Sequence, residues 1–378
     1  MNRFAYSSAV ALCAAALCPV NAAKAVEIRT CGSEVRTAPL NDERSVQSLL
    51  FQSFAIINDS AAPIDLDKVT LELLEKGVVR DVRMLDSSDI GRAVASALQV
   101  NAIAQILPGQ YCNGALLKEA RLAKSATLAP GEALVFSHQL FVWRGTRDSL
   151  RIRASDNSAS IAISDAAAKT KALFPISGLS FVAAGSSLHS HHRWVAVQQF
   201  SYDIGIIDNG RTYRGTGNRP SDYFVYGKPV RAVAQGQVVT AKNNAPDSIS
   251  QLIKPGETDQ AYQERLAQEQ AKLLAGGMEA ILGNHVVIDH GNGEFSVYAH
   301  LKPGSVTVKA GDQLAAGQIF AAVGTSGNST QPHLHFQLCD RPELGACQSL
   351  PVAFDGIRLP IEQTMRAVQS GDFVETLR

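Results

Sequence analysis

The chain has 378 residues, enough for about two domains with separate cores. Lys and Arg total 35, Asp and Glu total 35, and the formal charge is zero, so the broad basic surface of a nucleic-acid binder is excluded. Only 19% of residues are charged, and Val and Ile recur throughout, which suits a mainly β protein.

Residues 1–25, MNRFAYSSAVALCAAALCPVNAAKA, combine Arg3, an apolar centre from Ala9 to Leu17 and a small-x-small site at Ala23-Lys24-Ala25. They are expected to form a secretory signal removed before Val26. Pro19 interrupts the segment, which is too short to span a bilayer comfortably. Cys18 follows Ala-Ala-Leu, a poor lipoprotein pattern. No later stretch is long and apolar enough for a membrane helix. The expected product is an exported protein, periplasmic or secreted, with no membrane span after signal removal. Beyond the signal stand Cys31, Cys112, Cys339 and Cys347, an even number suited to an oxidising compartment. Of the possible pairings, Cys31–Cys112 and Cys339–Cys347 each close within one expected domain.

Residues 26–165 alternate in the manner of short strands, as in LLFQSFAIIND (49–59), KVTLELLEKGVVRDVRML (68–85) and ALVFSHQLFVW (133–143). Turn signals such as LAPGEA (128–133) separate some of them, and a helical stretch is expected around 87–106. The region holds no constellation of His, Cys, Asp and Glu. An immunoglobulin-like β-sandwich with a structural or binding role is the economical expectation. SDAAAKTKA (164–172) reads as a connector to a second domain over 174–378.

In that second domain, GKPVRAVAQGQVVTA (227–241) and VKAGDQLAAGQIFAAVG (308–324) each read as two short β segments joined by glycine-bearing turns. NHVVIDHGNGEFSVYAHL (284–301) reads as two strands around a hairpin turn. These segments predict an antiparallel sheet. TDQAYQERLAQEQAKLLAGG (258–277) predicts an inserted helix with a Thr/Asp cap, an end at Gly276, and Tyr262, Leu266 and Leu273 along one side. It packs beside the sheet or forms a lid over a cleft.

Three short motifs carry potential chemistry. SYDIG (201–205) sets Asp203 in an apolar run, VYAHL (297–301) puts His300 at a strand end, and NSTQPHLHF (328–336) holds His333 and His335 around one leucine. In a strand, residues two apart share a face, so both imidazoles of the last motif would project together. Zinc takes His nitrogen and carboxylate oxygen, and a catalytic site keeps a position open for water. A bound ion would acidify that water and polarise a carbonyl.

YAHL, then VGTSGNSTQPHLHFQL, preceded by GNHVVIDHGNGE, closely resembles the lysostaphin/LytM-type zinc metallopeptidases over roughly residues 174–355. The resemblance implies a small antiparallel β-sheet domain with one zinc ion, cleaving peptide bonds in bacterial peptidoglycan. It implies His335 and Asp203 as zinc ligands, and His300 and His333 as catalytic residues flanking the water and the transition state. The family usually spells its first motif His-x-x-x-Asp, yet the position four before Asp203 is Gln199, and a neutral amide is a poor ligand for zinc. Upstream lies LHSHHRW, with His189, His191 and His192. In similar arrangements a His precedes a Gln and an apolar-flanked Asp; His192, Gln198 and Asp203 fit that spacing, so His192 is the expected third ligand. His191 is the next candidate. The alternative to an enzyme is a catalytically degenerate relative that binds cell wall or activates another wall hydrolase. His285, His290 and His138 are expected to be structural.

Overall fold

The apolar–polar alternation of segments such as Val69–Glu75 buries Val69, Leu71 and Leu73 on one face, as period-2 patterning requires. The structure, a computed structural model, describes residues 26–40, 43–362 and 366–377, the side chains of 43–45 and 113 excepted. The expected signal segment at 1–25 lies outside the described residues.

The N-terminal part contains two five-stranded sheets. The long strands Glu43–Asn58 and Glu132–Arg144 pair antiparallel from Val46↔Arg144 to Ile57↔Ala133 and form the middle of one sheet. In the other, Ser149–Ala154 lies between Val69–Glu75 and Asn157–Ser164. Phe54, Ile56, Leu134 and Phe136 from the first sheet share a core with Leu71, Leu150, Ile152 and Ile161 from the second. The helical stretch forms as Ser87–Ala95 and Ala97–Ile106, the first started by Asp86, whose carboxylate accepts from the amides of Ser88 and Asp89. The Cys31–Cys112 bridge is present, and so is Cys339–Cys347, the pairing expected from domain closure.

The second part is built on an antiparallel sheet whose central strands run in the order Gly236–Lys242, His285–Asp289, Phe295–Ala299, Leu334–Cys339, Tyr202–Gly205 and Leu179–Ala184. The expected hairpin occupies the middle of this order. One face is apolar: Tyr202, Ile204, Ile288, Tyr298, Leu334 and Phe336 enter a single core, with the Tyr298 and Phe336 rings 5.3 Å apart. Strand alternation therefore sends their neighbours Asp203 and His335 to the opposite face.

The inserted helix spans Asp259–Ala275; the Thr258 hydroxyl accepts from the Ala261 amide and Gly276 follows the last residue. Tyr262, Leu266 and Leu273 are half-buried, and none of its residues is fully buried. Arg265 ties the helix to the preceding loop through Glu257, at 2.6 Å, and the Leu252 carbonyl. None of the described helices is long and apolar enough to cross a membrane.

Phe336 is fully buried between His335 and Gln337, so its packing fixes which face those two residues occupy. Phe336→Ala is expected to destabilise the second part by about 3–5 kcal/mol, read as a lowered urea midpoint. A midpoint within error of the unmodified protein would contradict this packing role.

Candidate metal and catalytic site

Strand register builds the centre of the site. Asp203 on Tyr202–Gly205 stands directly opposite His335 on Leu334–Cys339, and His335 stands opposite Ala299 on the next strand. Directly opposed residues share a face, so the carboxylate and the imidazole meet, with His335 Nδ1 3.1 Å from Asp203 Oδ1. His333 precedes the strand rather than lying in it, but its Nε2 still comes within 3.5 Å of Asp203 Oδ1. The two histidines of the HxH motif thus approach the same oxygen.

His192 arrives from another direction. Residues His191–Trp194 and Ala196–Gln198 form two short 3-10 turns that bring the chain back beside the sheet. His192 Nε2 lies 2.9 Å from Asp203 Oδ2, and His191 Nε2 lies 3.7 Å from it. The side chain of His192 is 5% exposed and that of His191 is 71% exposed. His191, His192 and Asp203 form a cluster able to hold a metal ion, with ligand atoms all within 4.8 Å of one another. Gln199 turns away, its amide donating to the Leu50 carbonyl at 3.4 Å.

Hydrogen bonds fix which ring nitrogen faces the cluster. The Gln337 amide nitrogen donates to the Val197 carbonyl, so its Oε1 faces His335 and accepts from Nε2–H at 3.1 Å. That leaves the Nδ1 lone pair of His335 pointing at Asp203. The Ser201 hydroxyl donates to the same Gln337 oxygen at 2.7 Å. On the other side, Gln198 Oε1 sits 3.2 Å from His192 Nδ1, placing the lone pair on Nε2. That buried Nε2 faces Asp203 Oδ2 at 2.9 Å. His335 lies outside the cluster that His191, His192 and Asp203 form: its Nδ1 meets Oδ1 of Asp203, whereas His192 meets Oδ2, and the His192 and His335 ring centroids are 4.9 Å apart.

His300 closes another side. Its backbone adopts φ 59°, a left-handed conformation rare for a non-glycine residue, immediately after the strand Phe295–Ala299. The Ser326 carbonyl accepts from His300 Nδ1–H at 2.8 Å, and the Gln331 carbonyl accepts from His333 Nδ1–H at 2.8 Å. A carbonyl can only accept, so both rings present Nε2 towards the site. Their centroids are 4.8 Å apart, and His300 is 5.9 Å from His335. The turn behind His300 needs close backbone approach: a Cβ on Gly283 would stand 2.5 Å from the Gly327 amide nitrogen, and one on Gly327 would stand 2.4 Å from the Ile281 carbonyl oxygen.

Burial works against the charge on Asp203, but His192 and His333 outweigh it and hold the carboxyl well below its usual range. Burial, reinforced by His333 and His335, pushes His300 well below the usual imidazole range and favours its neutral form. Burial lowers His333 as well, yet Asp203 raises it overall. His285 and His290 are held by bonds of their own, the first to the Gly283 carbonyl and the second to the Gln235 carbonyl and the Ser296 hydroxyl. The sequence reading missed Gln337 and gave Gln198 no task. Gln337 was accessible, since it lies two residues beyond His335 and must share its face.

The fold and site define a β-sheet protein with a buried His/Asp centre able to coordinate a metal. The model of Peptidase family M23 matches residues 221–344, which include His300, His333 and His335. At the family level, this segment belongs to the M23 peptidases of lysostaphin/LytM type. It is 38% identical over 73 residues to the peptidoglycan DD-endopeptidase ShyA of Vibrio cholerae, covering 19% of this chain and 16% of that protein. It is 42% identical over 53 residues to the murein hydrolase activator EnvC of Escherichia coli, covering 14% of this chain and 12% of that one. The catalytic domain of lysostaphin from Staphylococcus simulans aligns with a TM-score of 0.24 at 19% identity, over 45% of this chain and 86% of that domain.

If Gln198 orients His192, Gln198→Met keeps the volume but loses the acceptor. Its metal affinity is expected to fall about 10–100-fold in a chelator-competition titration. Unchanged affinity would show that His192 needs no such support.

Proposed function

We propose that this protein is a zinc-dependent endopeptidase that hydrolyses peptide bonds in bacterial peptidoglycan. His192, Asp203 and His335 are the ligands of one zinc ion, and His300 and His333 are the catalytic residues. The observation that carries the reading is the convergence of His192 Nε2 and His335 Nδ1 on the two oxygens of Asp203, each ring held through its other nitrogen by a glutamine. Two imidazoles and one carboxylate leave a position open, as in catalytic rather than structural zinc sites.

When bound, the ion supplies an acidified water and a Lewis acid for the scissile carbonyl. The protein supplies the proton transfers. His300 is anchored through Nδ1 on the Ser326 carbonyl, so its Nε2 lone pair is placed to accept a proton from the attacking water. His333 is anchored on the Gln331 carbonyl; once protonated at Nε2 it donates to the developing oxyanion or to the leaving nitrogen. Family membership and the peptidoglycan DD-endopeptidase ShyA among the relatives support this substrate class. Two disulfides suit an exported protein working outside the cytoplasm, where its substrate lies. In this reading the chain comprises a signal at 1–25, an immunoglobulin-like sandwich at 26–165 and the peptidase domain at 174–378.

The alternative is a catalytically degenerate protein that binds wall or activates another hydrolase, as the murein hydrolase activator EnvC does. Retention of buried Asp203, His300 and His335 together with half-buried His333 in one cluster favours the enzyme. Incubating the zinc-loaded protein with purified sacculi, with mass spectrometry of the released muropeptides, separates the two. New peptide termini are expected. His300→Ala and His333→Ala should each lower cleavage by about 100-fold or more while retaining zinc. His192→Ala and His335→Ala should lose the metal itself. Stoichiometric zinc with no released peptides would establish the degenerate reading.

A further inference from the structure

The three proposed ligands rest on unequal supports. Asp203 and His335 lie within strands of a sheet and are held by its ladder. His192 stands on a single 3-10 turn, which makes few internal hydrogen bonds and must be held from outside. The residues that hold it come from the N-terminal part, two from its long strands and one from the 3-10 turn Pro108–Gly114. Gln52 Nε2 donates to the Arg193 carbonyl at 2.9 Å, and His138 Nε2 donates to the Trp194 carbonyl at 2.9 Å. The Ala196 amide donates to Gln110 Oε1 at 2.6 Å. Consecutive polar groups beyond His192 are therefore satisfied by side chains of the other domain.

The N-terminal part is shaped for this contact. Ser137 pairs with Ser53 and Gln139 with Phe51, so His138 falls opposite Gln52 at the centre of the long two-strand ladder. There His138 takes φ 56°, a left-handed conformation in the middle of a strand. That break lets both side chains reach adjacent carbonyls of the turn. The Gln110 loop is pinned in turn: the Gly109 amide donates to the Gly345 carbonyl at 2.8 Å, and the Gln348 amide donates to the Gly109 carbonyl at 3.0 Å. A Cβ on Gly109 would stand 2.6 Å from the Val197 side chain, so glycine permits the approach. Arg193 is fully buried at the same contact, its guanidinium 4.7 Å over the Phe200 ring and its Nη2 donating to the Ser48 carbonyl at 3.4 Å.

We propose that the N-terminal domain is a working part of the metal centre: Gln52, His138 and Gln110 are positioning residues that clamp the turn carrying His192. This rests on the assignment of His192 as a ligand. Contact between the domains then sets metal affinity, and loosening that contact releases one ligand while the two sheet-borne ligands stay in place.

The test uses the full-length protein with Gln52→Met, Gln110→Met and the double substitution, which keep side-chain volume. Zinc affinity is measured by competition, cobalt(II) absorption reports ligand geometry, and hydrogen–deuterium exchange reports the backbone. The double variant is expected to bind zinc at least about tenfold more weakly and to show altered cobalt(II) bands. It should exchange faster at 193–198 with no change at 334–337. Parental zinc affinity and cobalt(II) spectrum in the double variant would overturn the proposal while leaving the metal reading intact. Equal acceleration at both segments would overturn it too, since the effect would then be general loosening. If the unmodified protein takes up neither metal, both readings fall.

Discussion

Everything at the site depends on the pairing of Asp203 with His335 across two neighbouring strands. A register shift of one residue in either strand would send one of them into the apolar core and raise Tyr202 or Phe336 in its place. The core face therefore does more than stabilise the sheet. By committing Tyr202, Tyr298 and Phe336 inward, it commits the carboxylate and the imidazole outward, together, on the face that receives His192 and His300. The cost of burying an aspartate there is met by the histidines around it, which keep it ionised.

A second layer of polar side chains converts proximity into usable geometry. Gln337 links His335 to the Val197 carbonyl and also donates to Cys339 Sγ at 3.0 Å, so the ring orientation is tied both to the turn beyond His192 and to the Cys339–Cys347 bridge. Gln198 does the corresponding work for His192. Carbonyls of Ser326 and Gln331 do it for His300 and His333. Each imidazole thus has one nitrogen occupied by an acceptor and the other free for chemistry. Such support is what holds ligands and bases within fractions of an ångström of productive positions.

Much of this was legible in the sequence where the signal is local. The hairpin around His-Gly-Asn-Gly and the capped helix at 259–275 follow from short patterns, the grouping of His300, His333 and Asp203 from the family resemblance, and both disulfide pairings from closure within one expected domain. His333 was placed one position too far into its strand: Leu334–Cys339 begins after it, with the proline-bearing QPH stretch just before. What the sequence could not show is long-range. The contacts of Gln52, Gln110 and His138 with the 193–196 backbone join parts of the chain that no spacing rule connects, and each of these side chains reads locally as an ordinary polar residue on a strand or loop. The left-handed backbone at His138 and His300 is likewise a product of tertiary context, because nothing in either sequence neighbourhood demands it.

The central claim is that one metal ion is held by His192, Asp203 and His335 while His300 and His333 stay free of it. Anomalous diffraction at the zinc absorption edge from crystals of the zinc-loaded protein tests this directly. The account predicts a single peak about 2.0–2.2 Å from His192 Nε2, an Asp203 carboxylate oxygen and His335 Nδ1. A peak coordinated by His300 or His333, or one bound through His191 with His192 turned away, would contradict it.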